Sequence, residues 1–376
     1  MKSNYVKTII VLLLIAAIVA VFFFDNRTGQ KKVIYIAIVS SLTGDLAENG
    51  KDVANGAKLA IDQFNESNSI KIHYEVFDDQ ASPKMAVNIA HQISQNPRFL
   101  AVIGHLTSGC MLAAAPVYDR AKIPVVMPVP TNPKITQQGF KYLFRVPPKD
   151  DDQAPFLAKY LIKKDPKAKV AIVHDLTAYG MGFANEFKKV YEKAGGHIVA
   201  FEGAQKETRN FRALLSKLKK LNPQYVVLGA TYDFGAPFVR QMKEIGLTAI
   251  PVSGDGCYGS GFLQQAGDAA DGTIVSFIAP DRKSSPKTEK FFKEYENKYG
   301  KVVSFAPLGY DSAKVVIAAI QSASTISRET IWENIKRKGF LVDGVTGKIE
   351  FTNIGDNKNK NLVLYVADKG KFVILK

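Results

Sequence analysis

Short β-branched runs alternate with amphipathic helical stretches, and the whole pattern is carried through twice along the chain. This alternation constrains the fold more than any other feature. Val33 to Ser40 is a near-continuous apolar run, the mark of a strand buried on both faces. Asn49 to Asn65 then places Val53, Ala57, Ala60, Ile61 and Phe64 on one helical face. A strand over Ile70 to Phe77 precedes a helix opened by Ser82-Pro83, a capping serine with proline in the first turn. Strands follow at Leu100–Ile103, Val125–Met127 and Tyr142–Val146. Pro147-Pro148 and the acidic run Asp150-Asp151-Asp152 mark a crossing, after which the alternation restarts. Lys169–His174, His197–Glu202, Tyr225–Ala230, Ile250–Ser253 and Gly272–Phe277 read as strands, with helices over 180–194, 211–221 and 236–245. Helices over Pro286–Tyr299 and 307–322 come next, and Lys348–Phe351 with Leu362–Leu375 read as a closing hairpin. Two runs of βαβ units predict an α/β fold of two doubly wound parallel-sheet lobes facing each other across a cleft. The late return of helices and strands predicts several crossings between them.

The first thirty residues stand apart. Lys2 and Lys7 precede an apolar run from Ile9 to Phe24, which Asp25-Asn26-Arg27 ends, the layout of an export signal. The run is long for a signal-peptide core and slightly short for a spanning helix, so cleaved signal peptide and retained N-terminal anchor both fit. Either way the remainder is expected outside the cytoplasmic membrane, as a periplasmic or otherwise extracytoplasmic protein, tethered if the segment stays. About 345 of the 376 residues remain, too many for one ordinary core and enough for two lobes. A formal charge of +15 raises the question of nucleic acid, but the lysines are spread over helix faces, as in Lys163-Lys164 and Lys188-Lys189, with no basic tail or RNA-binding motif. The charge reads as a solvated surface.

The stretch Leu100 to Pro133 twice runs an apolar strand into a small polar turn. In LAVIG-HLTSG-CMLAAAP a helix opens on Thr107, Ser108 and Gly109, so a hydroxyl meets free backbone N–H groups. Such a terminus suits a carboxylate or phosphate, by about 0.3–1 kcal/mol and up to ~2 when partly buried. In IPVVMPVP-TNP, Thr131 follows a strand where an open α/β sheet holds its ligands. The same residues also fit a plain N-cap followed by a proline-rich loop.

Other chemistry fails on detail. Gly44 to Lys51 opens a helix after the first strand, but five residues separate Gly44 from Gly50, and Asp52 stands where a phosphate loop needs a hydroxyl. Gly254-Asp-Gly-Cys-Tyr-Gly259 matches G-x-G-x-x-G, yet it lies deep in the second lobe and Asp255 would point a carboxylate at phosphates. Asp255 fits better as a partner for a cation. The five histidines lack metal spacing and no serine sits in a G-x-S-x-G elbow, so neither an enzyme, a metal nor a cofactor is expected. Asp78-Asp79 reads as a pair of loop carboxylates capping the Ser82 helix. Cys110 and Cys257 fall in different lobes and read as free buried thiols.

VIGHLTSG at 102–109, TNPKIT at 131–136, HDLTAYGMGFA at 174–184 and SGDG at 253–256 followed by AGDAADG resemble the branched-chain amino-acid (Leu/Ile/Val) binding proteins of ABC transporters. SLTGDLAENGKDVANGAKLAIDQFN and the G-x-I-x-F turn at Gly347 to Phe351 fit as well, and the likeness runs in order through nearly the whole chain after the leader. It implies the type I periplasmic-binding-protein fold, with lobes of 31–147 plus 279–351 and 148–278 plus 352–376 joined by hinge crossings. It further implies a solute receptor delivering a small amino acid or related zwitterion to an ABC permease, or a membrane-anchored sensor of the same fold. Carried over residue by residue, Ser108 with the backbone of Thr107 would hold the ligand carboxylate. Thr131 and the Val129 carbonyl would help from the same lobe. Tyr179 would cover the ligand, Tyr232 would contribute from the loop after Ala230, and Asp255 would take the ammonium, directly or through water. Asn49 occupies a position that in relatives often carries an aromatic group, while Leu106, Phe305 and Leu308 would line an apolar pocket.

Overall fold

Parallel strands joined by helices close into two separate sheets in the computed structural model, which describes residues 34–375. The leader expected over residues 1–30 lies outside the described residues. The first sheet holds β1 (Ile34–Ser40), β2 (Ile72–Asp78), β3 (Phe99–Gly104), β4 (Val125–Met127) and β5 (Leu143–Arg145), in the order β2-β1-β3-β4-β5 with every pair parallel. Its helices are α1 (Ala47–Ser67), α2 (Pro83–Gln95), α3 (Ser108–Arg120) and the short α4 (Lys134–Gln137). The second sheet repeats that order with β6 (Lys169–His174), β7 (His197–Gly203), β8 (Tyr225–Gly229), β9 (Ile250–Ser253) and β10 (Ile274–Phe277). Its helices are α5 (Asp150–Lys164), α6 (Ala178–Lys193), α7 (Arg212–Leu221), α8 (Tyr232–Glu244) and α9 (Ser260–Ala266). In each sheet the chain order reverses between the first and third strands, β1/β3 and β6/β8. The loops leaving the carboxyl ends of those strands therefore border a crevice.

The helices after β10 return to the first sheet. Among α10 (Pro286–Tyr299), α11 (Ala306–Gln321) and α12 (Arg328–Lys336), α11 packs along α1. The approach is close enough that a Cβ on Gly56 would stand 2.1 Å from the Ala306 carbonyl oxygen, and one on Gly309 2.1 Å from that of Val53. Two hairpins end the fold, where one was expected. Gly347–Ile349 (β12) pairs with Val342–Gly344 (β11), and Val363–Asp368 (β13) turns back on Lys371–Ile374 (β14). Lys369 and Gly370 both take positive φ, at 48° and 74°, which is the tight-turn geometry that lets the terminal segment fold on itself. The β13–β14 pair extends the second sheet antiparallel to β10.

The crossings meet at one fully buried cation. Arg145, at the end of β5, donates through Nε to Asp356 Oδ1 (3.1 Å), and through its terminal nitrogens to the carbonyls of Pro130 (2.8 Å) and Asn132 (3.0 Å) and to the Thr136 hydroxyl (3.1 Å). Lys149 adds a second cation 3.2 Å from Asp356. Removing one member of a buried pair strands the other, at a cost of about 3–5 kcal/mol. Arg145→Met is therefore expected to lower unfolding stability by about that amount, measured by urea denaturation without ligand; a loss inside experimental error would show that the knot carries no stability.

Candidate functional site

A concave cavity, the form that small-molecule sites take, lies in the crevice between the two switch points. Its walls come from the strand-end loops of both sheets and from the start of α1. Leu46, Asn49, Leu106, Thr107, Ser108, Val129, Pro130 and Thr131 line one side, with Phe305 from the loop before α11; Tyr179, Thr231, Asp255 and Gly256 line the other.

The anion-binding features cluster where α3 begins. Thr107 is the N-cap residue, and its hydroxyl oxygen accepts from the Cys110 N–H (3.3 Å). Ser108 Oγ accepts from the Asn132 N–H (3.3 Å), which leaves the hydroxyl proton to donate elsewhere. First-turn N–H groups of a helix lack partners within it, so Ser108 and its neighbours offer donors beside Thr131. The loop carrying Thr131 is braced from behind by Arg145 at the carbonyls on either side of it. It is also tied to the other sheet, because Asn132 Nδ2 donates to the Ala178 carbonyl (2.6 Å) at the start of α6.

The opposite wall carries the negative charge. Asp255 is buried, and its Oδ1 accepts from Gln153 Nε2 (2.9 Å) and from the Tyr179 hydroxyl (3.2 Å). Gln153 grips the same residue twice, its Oε1 accepting from the Asp255 N–H (2.9 Å) and from the Ser276 hydroxyl (2.8 Å). Tyr179 in turn accepts from the Gly256 N–H (2.9 Å), and burial holds its phenol well above the usual range, so it stays a donor. Burial pushes the Asp255 carboxyl up to about 6, against the pull of the Gln153 and Tyr179 hydrogen bonds. No group of three or more His, Cys, Asp or Glu side chains suited to a metal occurs among the described residues.

Nine of the residues singled out from sequence, Asn49, Leu106, Thr107, Ser108, Val129, Thr131, Tyr179, Asp255 and Phe305, line this one cavity. Tyr232 does not. It opens α8, its hydroxyl donates to the Asp45 carbonyl, and its neighbour Thr231 faces the cavity instead. Leu308 is buried in α11 away from the lining, whereas Phe305 reaches it. The expected capping role of Asp78 and Asp79 gives way to other bonds. Asp78 binds Leu42, Thr43 and Gln80, Asp79 pairs with buried His105 (2.7 Å), and Ser82 caps its own helix. Both cysteines are free and buried. Sequence reasoning passed over Gln153, whose signal was a polar residue within the buried stripe Asp150, Ala154, Leu157, Ala158 and Leu161 of α5.

The family model described as periplasmic binding protein matches residues 33–371. The chain belongs to the periplasmic binding protein family. It is 30% identical to the Leu/Ile/Val-binding protein homolog 1 of Brucella melitensis over 90% of this chain and 91% of that protein. The leucine-, isoleucine-, valine-, threonine- and alanine-binding protein of Pseudomonas aeruginosa is also 30% identical, over 88% and 89% of the two chains. Among solved structures, the branched-chain amino acid transporter substrate binding protein LivJ of Streptococcus pneumoniae, in complex with isoleucine, superposes with a TM-score of 0.83 at 26% identity, covering 91% of this chain and 99% of that one. The two mixed α/β halves are thus those of a type I periplasmic binding protein, a family of substrate-binding proteins and not of enzymes.

In ligand-free protein the Asp255 carboxyl should titrate near 6, followed through its side-chain carbon signal by NMR. Tyr179→Phe deletes one donor to the carboxylate and should move that midpoint upward; a midpoint in the ordinary aspartate range, or none that Tyr179→Phe moves, would contradict the arrangement.

Proposed function

We propose that this protein is the extracytoplasmic substrate-binding subunit of an ABC importer, capturing a small α-amino acid or related zwitterion between its lobes and presenting it to the permease. One observation carries the reading: a single cavity sets the helix-terminal donors at Ser108 and the loop residue Thr131 on one wall against the buried carboxylate of Asp255 on the other. A zwitterion satisfies both at once. Its carboxylate accepts from Ser108, Thr131 and the adjacent backbone, and its ammonium donates to Asp255. Charge-assisted hydrogen bonds in a water-poor cleft are strong, and either charge left alone there is costly. The names of the relatives, with leucine, isoleucine and valine among their ligands, support an amino acid as cargo.

We take the lobes as 31–147 with 279–351 and 148–278 with 352–376. The packing of α11 on α1 and the pairing of β13 with β10 support this division. Ligand contacts both walls, so it favours the closed arrangement by its differential affinity, and closure is the signal a permease reads. No described helix is long and apolar enough to cross a membrane.

The pH dependence tests the role of Asp255. A bound ammonium favours the carboxylate, so binding lowers a carboxyl that free protein holds at about 6. Affinity should be flat above that value and fall by about tenfold per pH unit below it, as protons compete with ligand. Asp255→Asn, which keeps the shape and removes the charge, should weaken zwitterion binding by about 10–100-fold and simple carboxylates little. Calorimetry decides both points, and a flat profile down to about pH 4.5 with equal losses for the two ligand classes would sink the assignment.

A further inference from the structure

Beyond the groups set against a carboxylate and an ammonium, the cavity wall contains Thr231, whose hydroxyl proton is already donated to Asp233, and Asn49. Asn49 sits in the first turn of α1, is 5% exposed, and shares the lining with Leu46, Leu106, Val129 and Phe305. The Ser304 hydroxyl donates to its Oδ1 (3.2 Å), while its amide nitrogen has no hydrogen-bond partner among the described residues. This wall is rigidly built. Buried Asp52, one turn along α1, accepts from the N–H groups of Val303 (3.1 Å), Ser304 (2.9 Å) and Ala306 (2.8 Å) and from the Tyr295 hydroxyl (2.9 Å). The loop holding Ser304 and Phe305 is therefore clamped to the helix that carries Asn49.

A buried carboxamide edge facing a ligand must be matched, because an aliphatic group against it leaves a polar group unpaired. Which edge faces inward does not alter the requirement, since a hydroxyl or a second carboxamide both donates and accepts. Charged side chains are poorly served. No lysine or arginine lines the cavity, so an acidic side chain finds no cation, and the carboxylate of Asp255 is already assigned. Leu46, Leu106, Val129 and Phe305 supply apolar wall that accepts a methyl or methylene.

Resting on the amino-acid reading above, we propose that Asn49 selects an amino acid with a short, uncharged polar side chain, bearing a hydroxyl or carboxamide, over aliphatic amino acids of the same shape. The test compares shape-matched pairs. By calorimetry the protein should bind threonine at least about tenfold more tightly than valine, and asparagine at least about tenfold more tightly than leucine. Asn49→Leu should reverse both preferences. Ser304→Ala frees the carboxamide without changing a cavity-lining residue and should shrink both ratios, which keeps the test decisive if Asn49→Leu does not fold by circular dichroism. Valine at or above threonine and leucine at or above asparagine in the wild type would overturn the inference while leaving the amino-acid reading intact. So would ratios that neither variant changes. Failure of all four ligands to bind folded, ligand-free protein would instead overturn the amino-acid reading itself.

Discussion

Arg145 is the constraint on which the rest of the structure depends. Its guanidinium is planar and carries five donors in a fixed fork, so it can serve several acceptors at once where lysine could not. Here it spends them on Asp356, on the Thr136 hydroxyl and on the two carbonyls bracketing Thr131. One buried cation thus joins the outgoing chain at β5, the returning chain at Asp356 and the loop at the cavity. An isolated buried charge is expensive, and this one is supported because each bond is also a structural tie. The hinge and one wall of the site are fixed by the same atoms.

The second sheet solves the opposite problem, holding a negative charge away from water without neutralising it. Asp255 receives hydrogen bonds from Gln153 and Tyr179, neutral donors that orient the carboxylate and favour its ionised form without supplying a cation. A lysine in place of Gln153 would satisfy the charge inside the protein and leave nothing for an ammonium to do. On the proposed reading, ligand supplies the cation that Gln153 and Tyr179 do not, and binding is linked to lobe closure because the donors for the anionic end and the acceptor for the cationic end belong to different sheets.

Much of this was legible in the sequence because parallel strands and amphipathic helices obey local rules. Val125–Met127, Lys169–His174 and Pro286–Tyr299 have the bounds that their residue patterns predicted. The loops at strand ends were equally accessible, since a doubly wound sheet binds at its switch point whatever the side chains are. The terminal hairpins were not. The residue pattern pairs Lys348–Phe351 with Leu362–Leu375, but the Asp368-Lys369-Gly370-Lys371 turn closes β13 on β14 and leaves β12 to β11. Tyr232 was placed at the cavity because its position after β8 is right, but the start of α8 turns its hydroxyl to Asp45. Gln153, Ser304 and Asp52 act across more than a hundred residues of sequence, and no local spacing reveals such partners.

Asp150 shows how a second buried carboxylate can sit near the first without spoiling it. It opens α5 at the crossing, is fully buried, and neither of its carboxylate oxygens receives a hydrogen bond within ordinary distance. Two neighbouring carboxylates in a dry site cannot both ionise cheaply. Burial, and after it the charge of Asp255, drive the Asp150 carboxyl well above its usual range, outweighing the Thr131 hydroxyl and the charge of Arg145 that favour ionisation. Asp255, with Gln153 and Tyr179 donating to it, is held far less high. The difference between the two follows their surroundings: Gln153 and Tyr179 favour the ionised form at Asp255, while burial and the neighbouring charge of Asp255 disfavour it at Asp150. Asp255 is the one carboxylate that lines the cavity among the described residues, which suits the single positive charge of the proposed zwitterion.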